Sequence, residues 1–216
     1  MVTDIGVEET SAGTGDSGVK GELLSLADLL DGSPAEVWEA ASLCEGWRIR
    51  EVVAHMTMPA RYSPDAFMAE LSAAGGDFTR VSDTLAVRDG ALPASTLVAG
   101  LRSPVLHDWQ PPGGGIAGAL THSVIHGLDV TEALGWDRTV PADRISRVLG
   151  SVAPPDTANL FGTDLRGIEL RADDIEWSLG SGDLLTGPAQ VLALVICGRR
   201  VRPGRLRGTP AARFTR

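Results

Sequence analysis

Two histidines four residues apart are the first feature of this sequence that suggests chemistry. His122 and His126 lie in AGALTHSVIHGLDVTEALG (117–135), a segment rich in helix-forming residues in which Gly135 is placed to end the helix. Positions i, i+4 and i+7 share one helix face, so both imidazoles and the Asp129 carboxylate are expected on one side. Such a pair can bind a divalent metal, with Asp129 orienting one ring. The alternative is a pair of half-buried histidines that hydrogen-bond to backbone or water.

A third histidine, His55, lies beside the apolar stripe of a helix predicted over Arg48–Met58. Alone, a histidine at such a position is more often a packed, hydrogen-bonded residue than a ligand. Together with His122 and His126 it gives three imidazoles, which with a water molecule form a recurrent open metal site. Zinc is the expected metal, and nickel or copper also suit imidazole ligands. The fourth histidine, His107, is predicted to lie in a surface loop and not to be a ligand.

Residue identities argue against two other kinds of chemistry. Metalloproteases with an HExxH motif need a glutamate directly after the first histidine, and Ser123 stands there instead. The two cysteines, Cys44 and Cys197, form no CxxC pattern, and reduced thiols in a cytoplasmic protein are expected. Cys44, between a leucine and a glutamate, is predicted to be a small buried residue and not a reactive one.

Composition and charge limit the partners of the protein. The 216 residues carry a formal net charge of −9, which argues against nucleic acid as a partner. No secretory signal is recognised, and the longest apolar run, Val191–Cys197, is too short to cross a bilayer. We expect a cytoplasmic monomer or homodimer that binds small molecules and neither nucleic acid nor membrane.

The order of the elements predicts two lobes. Residues 1–19 are expected to be a disordered tail, residues 20–153 a helical bundle, and residues 154–208 a small lobe made of a β-meander and a helix. The break is placed at Pro154 and Pro155. Seven arginines lie between Arg199 and Arg216. For these arginines a solvated basic tail is favoured over an anion or RNA contact, and residues 209–216 are expected to follow the small lobe as a basic tail.

Three segments carry a resemblance to a known family. LCEGWRIREVVAHM (43–56) and ALTHSVIHGLDV (119–130) resemble the actinobacterial, mycothiol-dependent maleylpyruvate isomerase-like proteins, a branch of the DinB/YfiT-like metal-binding four-helix bundles. The segment 167–200 resembles the small α/β, sterol-carrier-like domain that follows the bundle in that family. The resemblance implies an α+β fold with a DinB-like four-helix bundle and a small C-terminal α/β lobe.

The resemblance also implies a ligand set and a chemistry. His55, His122 and His126 match the three metal-ligand positions of the bundle, although isomerase-type members often carry a glutamate where His122 stands. The implied function is that of a divalent-metal enzyme that uses mycothiol or a similar thiol for isomerisation or S-transfer on a small electrophilic substrate. Two alternatives stay open: a hydrolase that uses metal-bound water, and a metal- or ligand-binding protein without activity. No catalytic, thiol-binding or substrate-binding residue is assigned from the sequence.

Overall fold

Helices make up most of the fold. The structure, a computed structural model, describes residues 18–153 and 161–216. Within the first range the α-helices are α1 (Val19–Leu30), α2 (Ala35–Glu39), α3 (Ile49–Met56), α4 (Pro64–Ala73), α5 (Phe78–Gly90), α6 (Ala94–Leu101), α7 (Pro104–Asp108), α8 (Gly115–Leu134) and α9 (Ala142–Val152). A further helix, α10 (Ala189–Ile196), follows three short strands, and two 3-10 segments span Met58–Ala60 and Thr209–Phe214.

The 20-residue helix α8 lies at the centre of the bundle. It packs against α1, α3 and α9 and also contacts α10, while α3 packs in addition against α5 and α6. Gly135 follows α8 with a φ of 71°, the left-handed conformation that glycine adopts without steric cost, as predicted. Among the helices of the described ranges, none is long and apolar enough to span a bilayer.

The three strands form a sheet whose order differs from the predicted meander. The strands are β1 (Ile168–Ala172), β2 (Ser178–Gly180) and β3 (Asp183–Gly187). β1 lies in the middle, antiparallel to β2 and parallel to β3. The short β2–β3 connection therefore crosses the end of β1. At Gly182, with a φ of 126°, a Cβ atom would lie 2.2 Å from the carbonyl oxygen of Gly167, so this crossing needs a glycine.

One continuous apolar core joins the bundle to the sheet. Every residue of α10 is buried, because this helix packs against α8 and α9 on the bundle side and against β1 and β3 on the sheet side. Apart from Gln190, which bonds the backbone of Val140 and Arg138, this helix is apolar on every side, as expected in such an enclosed place. The predicted α+β class, a helical bundle followed by a small lobe, is confirmed. The proposed break at Pro154 and Pro155 lies outside the described residues.

Three local predictions differ from the structure. The predicted tail extends to residue 19, but Val19 begins α1 and is buried. His107 lies in the short helix α7 and not in a loop, because Pro104 stands at the first helical position, which proline favours. Residues 209–216 are not a free basic tail: a 3-10 turn places the Phe214 ring in the core, and the neighbouring residue Thr215 forms a β-bridge with Val201.

Candidate metal centre

Three histidines from two helices converge at one place. His55 lies near the end of α3, and His122 and His126 lie on one face of α8, which packs against α3. The Nε2 atoms of His55 and His122 are 3.1 Å apart. The ring centroids lie 5.0 Å apart for His55 and His122, 4.9 Å for His55 and His126, and 4.7 Å for His122 and His126. The i, i+4 spacing on α8 thus brings two rings to the third, as predicted.

The spacing of the ring nitrogens fits a divalent metal. Each histidine offers a nitrogen atom, and these three atoms lie within 4.8 Å of one another. Tetrahedral zinc with Zn–N bonds of 2.0–2.1 Å separates neighbouring nitrogen ligands by about 3.3 Å. The observed Nε2–Nε2 distance of 3.1 Å between His55 and His122 is close to that value. All three side chains are half-buried, so each keeps part of its surface accessible to solvent.

Two hydrogen bonds orient the rings of His55 and His126 through their Nδ1 atoms. Ser82 on α5 places its Oγ 3.1 Å from Nδ1 of His55. The Asp129 carboxylate lies 3.0 Å from Nδ1 of His126, one turn further along α8. Metal-binding histidines commonly have such a partner, which fixes the ring and the tautomer and leaves Nε2 for the metal. Asp129 therefore has the position predicted for it, whereas Ser82 was not predicted.

Burial keeps the imidazoles of His55 and His122 neutral. It lowers the pKa of His55 to about 3, and the neighbouring His126 adds to this effect. Burial likewise holds the pKa of His122 well below its ordinary value, together with the charges of His126 and His55. Since a neutral imidazole binds metal and a protonated one does not, His55 and His122 are available as ligands at neutral pH.

The Asp129 carboxylate is fully buried and accepts hydrogen bonds from three different segments. Arg199, just after α10, donates from Nε to Oδ1 at 3.0 Å and from Nη2 to Oδ2 at 2.9 Å. The thiol of Cys44 donates to Oδ2 at 3.0 Å, beside the bond from His126. Burial alone would raise the pKa of Asp129, but the hydrogen bond from His126 and the charge of Arg199 outweigh it and hold the pKa well below its usual range.

Neither Cys44 nor Arg199 was predicted to lie at this site. Arg199 is one of the seven arginines from Arg199 to Arg216, for which no individual partner was predicted. Cys44 is half-buried, and its Sγ also lies 3.8 Å from Nδ1 of His126. Burial and the neighbouring Asp129 raise the pKa of the Cys44 thiol far above its usual value, which agrees with the prediction that it is not a reactive cysteine.

Two tryptophans flank the cluster. The ring of Trp47 lies 5.1 Å from that of His55, and the ring of Trp109 meets that of His122 nearly edge-on at 5.3 Å. Trp47 comes from the connector between α2 and α3, and Trp109 directly follows α7. Both tryptophans are half-buried, and each covers part of one histidine ring.

The fourth histidine lies apart from this set. His107 belongs to α7, and no metal-binding group in the described part of the chain includes it. The geometry thus brings together the three predicted ligands and Asp129. Metal binding by these residues stays a prediction.

Comparisons with known proteins point to one family. Residues 21–109 match the family model of the mycothiol maleylpyruvate isomerase N-terminal domain. A solved structure of the mycothiol-dependent maleylpyruvate isomerase, and one of its mutant with alanine in place of a histidine, share the fold with a TM-score of 0.53 at 15% identity. Each covers 89% of this chain and 93% of its own chain. No curated protein sequence matches significantly. The family resemblance predicted from the sequence is confirmed.

Proposed function

We propose that this chain, whose residues 21–109 match the family model of the mycothiol maleylpyruvate isomerase N-terminal domain, is a divalent-metal enzyme that uses a low-molecular-weight thiol such as mycothiol. The reaction is isomerisation of, or S-transfer to, a small electrophilic substrate. The observation that carries the proposal is the convergence of His55, His122 and His126 at a half-buried place. Zinc is the proposed metal because three imidazoles with one open position are typical of zinc sites.

The three histidines would hold the metal through Nε2. When bound, a divalent cation lowers the pKa of a coordinated thiol, and the thiolate is the nucleophile that thiol chemistry requires. Three neutral ligands leave the charge of the cation undiminished, in contrast to a site that contains a carboxylate. Trp47 and Trp109 shield the cluster on its sides and so limit the access of water.

The chain's own contribution is to orient the ligands. Asp129 keeps the proton of His126 on Nδ1, so that the lone pair of Nε2 faces the cluster. Arg199 holds Asp129 through two hydrogen bonds and compensates its buried charge. Ser82 holds Nδ1 of His55 in the same way. This preorganisation supports an enzyme site, since ligands fixed in advance need no rearrangement during the reaction.

The structure argues against a hydrolase. Hydrolysis by an activated water molecule needs a nearby general base, and Asp129 is the carboxylate that lies against the histidine cluster. Its two oxygens accept hydrogen bonds from His126, Arg199 and Cys44, and the side chain is inaccessible to solvent. A carboxylate used in this way cannot also accept a proton from water. Thiol chemistry is therefore favoured over hydrolysis.

The test is turnover that needs both metal and thiol. Zinc-loaded protein is assayed on maleylpyruvate with mycothiol, without thiol, and with S-methylated mycothiol as the matched control. Turnover with the free thiol alone supports the proposal, whereas hydrolysis of an ester or amide substrate without thiol favours the hydrolase. A bound metal without either activity, over a panel of electrophilic substrates, contradicts both enzyme functions and favours a binding protein.

Two variants show whether the activity belongs to the cluster. His126→Ala is expected to abolish thiol-dependent turnover because it removes a ligand. His107→Ala, which changes a histidine outside the cluster, is expected to leave turnover unchanged.

We also propose the cytoplasm as the location, because low-molecular-weight thiols stay reduced there. A monomer or homodimer stays a prediction.

A further inference from the structure

The surroundings of the three histidines are aromatic. The ring of Trp47 lies 5.1 Å from that of His55, and the ring of Trp109 lies 5.3 Å from that of His122. Both tryptophans are half-buried, so part of each stays accessible to solvent. An indole ring offers a large, rigid apolar surface that packs against other rings and loses little conformational entropy on binding. Two such rings beside the proposed metal ligands favour a substrate with an apolar group.

Helix α5 adds a third aromatic side chain near the cluster. Ser82, whose Oγ lies 3.1 Å from Nδ1 of His55, is four residues after Phe78. The two residues therefore share one face of α5, about 6 Å apart along its axis. Phe78 is 58% exposed, and its ring meets that of Phe67 on α4 at 5.9 Å. The aromatic surface thus continues along α5 from the side chain that orients His55.

The arginines of this part of the chain are already paired. Six arginines and no lysine lie between residues 40 and 134, the range that supplies the three histidines, Ser82 and both tryptophans. Arg80, one of the six, is exposed and lies two residues before Ser82, about 200° round α5, so it faces away from His55. The other five form ion pairs with carboxylates: Arg48, Arg50, Arg61, Arg88 and Arg102.

The remaining charges near the cluster do not favour an anionic ligand. Arg199 reaches the cluster from the C-terminal segment, but it is paired with Asp129. Arg216 donates to the carbonyl oxygen of Ser42 at 3.4 Å, at the start of the connector. Exposed carboxylates stand close to both tryptophans in the sequence, Glu45 before Trp47 and Asp108 before Trp109, in a chain of net charge −9. Little cationic surface is left for the two carboxylates of a dicarboxylate.

On the basis of the function proposed above, we infer that the substrate is a neutral electrophile with an aromatic or other apolar group, and not a dicarboxylate such as maleylpyruvate. The apolar group lies against Trp47 and Trp109 while the thiol sulfur attacks the electrophilic carbon. In an α,β-unsaturated ketone the sulfur–carbon bond forms at the β-carbon, the double bond becomes single, and the thiol proton ends on the α-carbon. Loss of the thiol from this adduct restores the double bond and permits cis–trans isomerisation.

The test compares enones that differ in one group. The zinc-loaded protein is given mycothiol with 4-phenyl-3-buten-2-one, with its 4-carboxyphenyl analogue, with 3-penten-2-one, in which methyl replaces phenyl, or with maleylpyruvate. kcat/KM is measured for thioether formation and for isomerisation of the cis compounds, and each value is divided by the uncatalysed rate constant. We expect the phenyl enone to exceed each of the other three about tenfold, mainly through a lower KM.

Variants show whether the tryptophans cause the preference. Trp47→Ala and Trp109→Ala should each lower the ratio of kcat/KM between the phenyl and methyl enones about fivefold, which corresponds to the loss of one aromatic contact. Trp177→Ala removes a half-buried tryptophan outside the cluster and is the matched control, which leaves the ratio unchanged. A variant that only loosens the fold lowers both values together and does not move the ratio.

A binding measurement checks the same contacts without turnover. The saturated ketone 4-phenylbutan-2-one cannot accept a thiol, so calorimetric titration measures its binding alone. We expect a dissociation constant below about 1 mM in both the metal-free and the zinc-loaded protein, and binding of pentan-2-one that is at least about tenfold weaker. Trp109→Ala should weaken the binding of the phenyl ketone about fivefold in both forms, whereas Trp177→Ala should not change it.

The outcomes separate the substrate class from the proposed function. Thiol-dependent turnover without a preference for the phenyl enone, or with a preference for the carboxyphenyl enone or maleylpyruvate, overturns the substrate class and leaves the proposed function standing. No thiol-dependent turnover of any of the four compounds overturns both. A phenyl preference that is undiminished in both Trp47→Ala and Trp109→Ala also overturns the inference, because the apolar group then lies elsewhere.

Discussion

The Nε2 atoms of His55 and His122 lie 3.1 Å apart, although 67 positions separate the two residues in the sequence. Because both rings are neutral, one Nε2 must carry a proton that it donates to the other when no cation lies between them. A divalent cation held here by His55 and His122 would use the lone pairs of both Nε2 atoms, so each ring would carry its proton on Nδ1. With its proton on Nδ1, His55 would donate a hydrogen bond to the Ser82 hydroxyl.

The first prediction concerns metal content. Untagged wild-type protein should contain about one equivalent of zinc or a similar metal, and His122→Ala or His126→Ala should lose it, because two ligands hold a divalent ion far more weakly than three. Elemental analysis measures the content. His107→Ala is the control and should keep the metal. A wild-type protein that stays metal-free after reconstitution contradicts the metal centre.

The second prediction concerns Asp129. Asp129→Asn leaves the Arg199 cation buried without its counter-charge, so the free energy of unfolding should fall by about 3–5 kcal/mol. Metal affinity should fall about 10- to 100-fold because His126 loses its orienting partner. Urea unfolding of the metal-free protein and competition with a metal chelator measure the two effects.

Ser82→Ala is the comparison for that experiment. It also removes the partner of a ligand, His55, but leaves no charge unpaired. Metal affinity should fall about tenfold, while the free energy of unfolding changes by only about 1 kcal/mol. Equal losses of stability in the Ser82 and Asp129 variants would contradict the role given to the buried ion pair with Arg199.

The third prediction concerns pH. The pKa of His55 is about 3 in the folded chain and about 6.5 in the unfolded chain, so the unfolded state binds more protons between these values. The stability of the metal-free protein should therefore fall as the pH is lowered from 6.5 towards 3, by up to about 1.4 kcal/mol per pH unit for each such histidine. His122, with its lowered pKa, adds to the same slope.

Variants test the origin of that slope. His55→Leu and His122→Leu remove a titrating group, so each should have a shallower loss of stability between pH 6.5 and 5 than the wild type. Urea midpoints measured at intervals of half a pH unit give the slopes. Parallel curves for the wild type and both variants would show that other groups cause the acid sensitivity.

The fourth prediction concerns the two thiols. Burial raises the pKa of Cys197 to about 12 and that of Cys44 still further, so both stay protonated at pH 8. Iodoacetamide should modify neither in the native protein and both in urea, as measured by mass spectrometry of intact protein. Selective labelling of native Cys44 would contradict the hydrogen-bonded thiol described at Asp129.

The convergence of the three histidines could be predicted because its signals are local. The i, i+4 spacing of His122 and His126 depends only on helix geometry, and α8 ends at Leu134 before Gly135, as the sequence indicates. The apolar stripe beside His55 likewise placed it on a helix that faces the core. Both helices could be located from periodicity alone, and the resemblance to a known family supplied their mutual arrangement.

The residues that support the ligands were not predictable in this way. Asp129 is 85 positions from Cys44 and 70 from Arg199, and no periodic pattern links residues so far apart. Arg199 could not be told apart from the other six arginines of the C-terminal segment, because the partner of each depends on how that segment packs. The predicted strand order, a meander, was wrong for a similar reason. The observed order depends on the close approach of Gly182 to Gly167, which is a tertiary contact and leaves no periodic pattern in the sequence.

The four hydrogen bonds on Asp129 make the chain hard to divide into interchangeable modules. One carboxylate joins the connector before α3, the central helix and the segment that follows α10. A chimaera that exchanges the C-terminal lobe must therefore supply a guanidinium group at the position of Arg199, or leave an unbalanced anion beside His126. In recombination or domain grafting, the bundle and the lobe should therefore be transferred together.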